Sequence, residues 1–173
     1  VLDNAGGTIT LTTTNAGGSN NVDLTGANVV DTDETGLTIN TGTADALLGE
    51  IGQDDAIGAL DVTGATVDLQ GNVSAAGITL TGSTLVDIDS EVDGHTIDSN
   101  GSNLEIAAED ISVDAGASLQ STGGGGSAIF RGNDITDAIG VGDNIGVAGN
   151  QVELSEAELA TVQNTFNDVQ LGA

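Results

Sequence analysis

Leu60-Asp61-Val62-Thr63-Gly64-Ala65-Thr66-Val67-Asp68-Leu69 decides the fold of this chain. Two apolar/polar alternations flank a Thr-Gly step followed by a small residue. Side chains of a strand point to opposite faces in turn, so each stretch offers one apolar and one polar face. The unit returns as Val22-Asp23-Leu24-Thr25-Gly26-Ala27-Asn28-Val29 and as Ile78-Thr79-Leu80-Thr81-Gly82-Ser83-Thr84-Leu85, with a weaker copy at Leu37–Gly42. Its glycines fall at 26, 42, 64 and 82, in steps of 16, 22 and 18 residues. A repeat of that size cannot bury its own apolar face and is stable only when stacked on its neighbours, as one rung of a solenoid. The alternation sends Val22, Leu24, Val62, Leu80 and Leu85 inward, and Asp23, Asp61, Asp68 and Asp87 outward. Nine coils of roughly 19 residues, spaced ~4.8 Å apart, make a rod about 43 Å long.

Composition agrees with a stack rather than a globule. The 173 residues include 27 Gly, no Pro, Cys, Met, Trp or Tyr, and only two Phe, while hydrophobic content is 38%. Irregular globular cores use aromatics to fill space; coils in register need only small and branched aliphatics. Low hydrophobicity with high net charge is also the signature of disorder, but the regular Val/Ile/Leu alternation argues against it. Residues 1–173 therefore read as one all-β domain.

The net charge is −26, from 27 acids against a single cation, Arg131. Nucleic acid and anionic membrane surfaces both require basic groups, so neither is an expected partner. The acids must be solvated, hydrogen-bonded or neutralised by cations from a salty or calcium-containing exterior. With no cysteine there is no disulfide framework and no thiolate metal site. No apolar run approaches the ~18 residues of a membrane span. The chain opens at Val1 without Met or leader, and both ends read as cuts through a repeat. The expectation is a segment, or a processed unit, of a larger repetitive protein.

Short strands are predicted at 8–12, 21–25, 37–40, 59–63, 66–70, 77–81, 84–89, 96–98, 103–106, 110–114, 128–131, 139–141, 151–154 and 169–171. Two stretches break the pattern. Ala44, Ala46, Leu47, Leu48 and Ile51 have helix-compatible spacing within Thr43–Ile57. Ser155-Glu156-Ala157-Glu158 is a capping box, and Leu159, Val162 and Phe166 follow on one helical face, predicting a short helix over 155–166. Such a helix would cover an open side or edge of the stack.

Ile139-Gly140-Val141-Gly142-Asp143, then Leu154-Ser155-Glu156-Ala157-Glu158-Leu159, then Val169-Gln170-Leu171-Gly172 resembles a repeat of the filamentous-haemagglutinin-like, β-strand-repeat surface adhesins of Gram-negative bacteria. The Thr-Gly-Ala units match those proteins more loosely. The resemblance implies a right-handed parallel β-helix, secretion to the cell surface, and adhesive or structural work.

Candidate chemistry is sparse. Asp87, Asp89, Glu91 and Asp93 form the densest carboxylate cluster and are the candidate Ca²⁺ ligands. From Asp89 the spacing starts like a calcium loop, but position twelve is Asn100 where a bidentate Glu is needed. His95, the only imidazole, stands beside Asp93 and Asp98, and reads first as a surface residue next to a turn. Asp87 and Asp89, about 7 Å apart along a strand, match the separation used by inverting glycosidases. A carbohydrate-active β-helix enzyme would also present basic groups and aromatic platforms, and this chain has one Arg and two Phe. Thr8, Thr10, Thr12, Thr13 and Thr14 suggest an ice-binding array, which needs Thr repeated on every coil. Gly140–Gly146 misses dinucleotide-binding spacing, and Asn72 and Asn100 begin sequons of chance frequency.

The sequence thus reads as a non-enzymatic rod of an extracellular or cell-surface bacterial protein, a stiff spacer or fibre unit needing no cofactor except Ca²⁺ if the acidic loop binds it. Its partners are itself, flanking repeats of the same protein, or surface glycans. The second reading within that class is a subunit that polymerises head to tail into a filament.

Overall fold

The computed structural model describes residues 6–13, 20–89, 94–134, 137–142 and 151–172. Within them the chain is mostly β, every strand pairing is parallel, and thirteen strands join in one curled sheet. The pairings follow three runs. Run one stacks β1 (Thr8–Thr12), β3 (Gly36–Asn40), the first half of β5 (Leu60–Leu69), the first half of β7 (Ile78–Ile88), β9 (Leu104–Ala108), β12 (Ser127–Gly132) and β15 (Asp168–Leu171). Run two stacks β2 (Val22–Val29), β4 (Ala46–Ile51), the second halves of β5 and β7, and β10 (Asp110–Val113). Run three starts at the end of β4 and continues through β6 (Val73–Ser74), β8 (Thr96–Asp98) and β11 (Ser118–Gln120) to a bridge at Val162. A separate pair, β13 (Ala138–Val141) and β14 (Gln151–Leu154), is followed by helix α1 (Glu156–Ala160).

Register turns the alternation into columns. Leu11, Ile39, Val62, Leu80, Ile106, Phe130 and Leu171 succeed one another through seven levels of run one. Ile9, Leu37, Leu60, Ile78, Leu104, Ala128 and Val169 form the parallel column two residues earlier. Interior members of both are buried and join the core cluster with Leu48, Leu69 and Ile88 of run two. Continuous burial of aliphatics at ~25 cal/mol per Å² is the main force holding the levels together.

Val62 and Leu80 point inward as expected; Val22 and Leu24, in the first strand of run two, are half-buried against the core. Asp23 and Asp61 are exposed, and Asp68 and Asp87 half-buried, on the outer surface. Leu85 is a correction. β7 uses one residue more than β5 between the paired glycines Gly82/Gly64 and the pair Leu85/Thr66, so Val86 takes the inward place. One extra residue at a corner reverses every later side chain.

Among the described residues run one has seven levels, where nine coils were expected. Partners there are separated by 18 residues (Leu60 to Ile78) at the least and by 41 (Ala128 to Val169) at the most. The Thr-Gly spacing understated the turn because it mixed corners. Gly64 and Gly82 are partners, but Gly26 lies between Leu24 and Asn28, where run two passes to run three.

Of the two helical segments expected, one forms. Thr43–Ile57 contributes β4, whose Ala46, Leu48 and Ile51 are fully buried between neighbouring strands on both sides. Ladder pairing overrides its helix-like spacing. The Ser155 capping box is present: Ser155 Oγ accepts from the Glu158 N–H (3.1 Å), and the Glu158 carboxylate accepts from the Ser155 N–H (2.7 Å). The helix ends at Ala160, not near Phe166. Thr161 turns its hydroxyl to the Glu158 carbonyl (2.6 Å) and its own carbonyl to the Leu119 N–H (3.0 Å), returning the chain to run three. Leu159, Val162 and Phe166 still pack on the core.

Candidate functional site

The outer surface of run two gathers the acids. Asp68 and Asp87 are register partners on adjacent strands, Asp87 is the partner of Ser112, and Asp110 opens β10 beside Leu85. Asp89 and Asp114 follow the ends of β7 and β10, their N–H groups donating to Leu69 and Ile88 carbonyls at 3.1 and 3.0 Å. Strands ~4.8 Å apart therefore place like charges side by side. Burial is the first cause that raises Asp87 above the usual carboxylate range. Asp89, Asp114 and Asp110 push the same way, against a hydrogen bond from Ser112. Asp68 is raised by burial first and then by Asp87 and Asp89; the Gln70 amide, donating at 2.6 Å, opposes them. The other oxygen, Asp68 Oδ1, is buried without a hydrogen-bond partner.

Beside this face a cleft of about 470 Å³ separates β10 from β14 and the start of α1. Asp110 and Ser112 form one wall; Gly142, Glu153, Ser155 and Glu158 form the other. Glu158 spans the gap, accepting from the Val113 N–H (3.3 Å) as well as from Ser155. Both polar groups of the capping box are thus committed to structure. The Ser112 hydroxyl already donates to the Asp87 carboxylate, and the single cation is engaged elsewhere: Arg131 Nε donates to Glu105 at 2.6 Å on run one.

A second polar cluster lies where run three turns back to run one. Asp98 accepts from the N–H groups of Asn100 (2.9 Å) and Thr122 (2.8 Å), from Gln120 Nε2 (2.9 Å), and from the Thr122 hydroxyl. Burial works against its charge, but the Thr122, Asn100 and Gln120 donors prevail and lower its pKa. Its neighbours Ser99 and Ser121 are fully buried and bonded to the corner backbone. Gly126 closes the same corner at φ 63°, where a Cβ would lie 1.9 Å from the Ser102 carbonyl. This cluster is a hinge pin of the wall.

Of the proposed Ca²⁺ ligands, Asp87 and Asp89 share the acidic face, while Glu91 and Asp93 lie outside the described residues. Among the described residues no three acids converge closely enough to hold a metal ion. His95 is half-buried and its carbonyl receives the Ser118 N–H (2.8 Å), so its backbone serves the ladder. Thr10 begins a column that continues as Thr38, Asp61, Thr79, Glu105, Ile129 and Gln170, so no flat Thr array forms. Gly140 and Gly142 belong to β13 and its end, and 143–146 lie outside the described residues. Asn72 is committed to the wall, donating to Glu50 (3.3 Å) and accepting from the Thr96 N–H (2.8 Å). Asp110, Asp114 and Glu153 were not singled out from the sequence as site residues, and Glu158 was read only as part of the capping box; strand register brings Asp110 to the acidic face, and Glu153 and Glu158 face it across the cleft. No family model, curated protein or solved structure matches this chain.

Proposed function

We propose that the chain is a stiff structural segment of a secreted bacterial surface protein, its wall closed into a right-handed parallel β-helix that serves as a spacer or adhesive rod. The observation that carries this reading is the pair of aliphatic columns running through seven levels of run one. Such columns convert chain length into a fixed distance, whereas a catalytic protein needs a nucleophile–base or acid–base constellation. The acidic face and the engaged Arg131 favour an exterior rich in salt, with flanking repeats or surface glycans as partners rather than nucleic acid or lipid. No helix among the described residues is long and apolar enough to cross a membrane.

A chain without cysteine allows a clean test. Thr10→Cys and Gln170→Cys put spin labels at the two ends of one column, six steps or ~29 Å apart. A narrow distance distribution near that value supports a stiff rod, and a broad one refutes it. Beads coated with the protein should bind surface glycans without releasing reducing ends; such release would overturn the non-enzymatic reading.

A further inference from the structure

The columns of run one end in exposed apolar side chains at both extremes. Leu11 in β1 is 36% exposed, and Val169 and Leu171 in β15 are 47% and 43% exposed, while their interior column mates are at 2% or less. Among the described residues no strand pairs with the outer side of β1 or of β15. Each end strand thus carries an inward pattern that the next level would bury.

The hydrogen-bond phase of the two edges also matches. The N–H groups of Leu37, Leu60 and Ile78 all donate forward, to the carbonyls of Ala59, Gly77 and Asn103 on the following level. The Gly172 N–H donates backward to Phe130, which by the strand's alternation turns the N–H and C=O of Val169 and Leu171 to the open side. At the other end the Gly7 carbonyl and the Thr13 N–H bond to β3, so Thr10 turns its N–H and C=O outward. A β1 laid on β15 with Ile9 beside Val169 lets the Leu171 N–H donate to the Thr10 carbonyl, and the Thr10 N–H to the Val169 carbonyl. Both apolar columns then continue unbroken. β1 carries no charge, and the one acid of β15, Asp168, is already held by Gln170 Nε2 (3.0 Å).

Building on the rod reading, we infer that the open edge of β15 receives β1 of a second copy of this chain, in register and head to tail. The contact is heterologous and does not close on itself, so it propagates as a filament. Strand edges are templates for such pairing. The net charge of −26 opposes it at long range, which makes assembly depend on ionic strength.

Sedimentation velocity of the full chain, at rising concentration in low salt and in added NaCl, tests this. The expected result is monomer in low salt and elongated oligomers in high salt, with fibres of ~34 Å axial repeat, seven rungs of ~4.8 Å. Thr10→Pro removes the outward donor of β1 without touching its bonds to β3; Leu171→Lys charges the outer end of β15. Each variant alone should associate at least tenfold more weakly. Mixed, they should form one-to-one dimers and stop, since each keeps one competent edge. Monomer at every salt and concentration overturns the inference and assigns the edges to adjoining coils of a longer polypeptide. Undiminished assembly of both variants, or no dimer on mixing, overturns it too. The Thr10–Gln170 spin-label distance separates the two ideas: narrow with no assembly, the rod stands and the stacking falls; broad, the rod itself falls.

Discussion

Asp87→Asn removes one charge from the middle of the acidic face while keeping an oxygen for Ser112. Its register partner Asp68 lies on the adjacent strand. Two unit charges ~4.8 Å apart repel by ~0.9 kcal/mol at the dielectric of water. Screening at 0.15 M salt, with a Debye length of ~8 Å, reduces this to ~0.5 kcal/mol. Asp89, Asp110 and Asp114 add smaller repulsions, so the variant should be about 1 kcal/mol more stable at pH 7 in low salt. That gain should halve at physiological ionic strength and fade near 1 M. The sign with pH follows from linkage. A carboxyl whose folded pKa is raised binds its proton earlier in the folded state, so its contribution favours the fold at low pH and is lost as pH rises through the raised value. Stability of the parent should therefore increase as pH falls from 7 toward ~4, and Asp87→Asn should flatten that rise. Urea titrations across pH and NaCl read both effects. A variant no more stable than its parent at pH 7 in low salt would refute the reasoning, as would a parent that only loses stability between pH 7 and 5.

Leu80→Ala, in the buried centre of its column, should cost ~2–5 kcal/mol, whereas Leu171→Ala at the exposed end should cost under ~1 kcal/mol in monomer; equal losses by chemical denaturation would deny the column. Ser155→Ala should cost ~1 kcal/mol through the lost cap and loosen the Glu158 link to Val113, seen as faster amide exchange at Val113. Asp98→Asn turns an amide donor toward groups that already donate and should cost ~1–3 kcal/mol at pH 7. Because the Asp98 pKa is lowered, its contribution is present above ~3.9 and lost as pH falls through the depressed value, so the penalty should shrink in strong acid. An Asp98→Asn penalty that grows as the pH falls below ~3.9 would contradict this assignment.

Strands with two or more inward residues were legible. Ile9 and Leu11, Leu60 and Val62, Ile78 and Leu80, or Ile111 and Val113 stand two positions apart on one strand, which period-two reading detects. Run three was partly invisible for the same reason. β6 and β11 each bury one aliphatic, Val73 and Leu119, and a single residue has no period. β4 misled because Ala44, Leu47, Leu48 and Ile51 fall at helical spacing, and only the ladders on either side decide between helix and strand. Leu85 failed on one residue of bulge. The capping box was legible because it is wholly local, two residues three positions apart reaching for each other. The acidic face was not: Asp68, Asp87 and Asp110 are separated by 19 and 23 positions, and the chain carries no local mark of the corner lengths that bring them together.

The longest interval of run one, from Ala128 to Val169, holds β13, β14 and α1, yet the two residues meet as neighbours in register. Doubling a connection from ~20 to ~40 residues adds only about 0.6 kcal/mol of closure entropy. A detour of this size is therefore cheap wherever it leaves from a corner and returns to the same column. Evolution can hang new cargo on such a bracket, a loop or a whole small module, while selection on the wall sees only the few aliphatics that must line up.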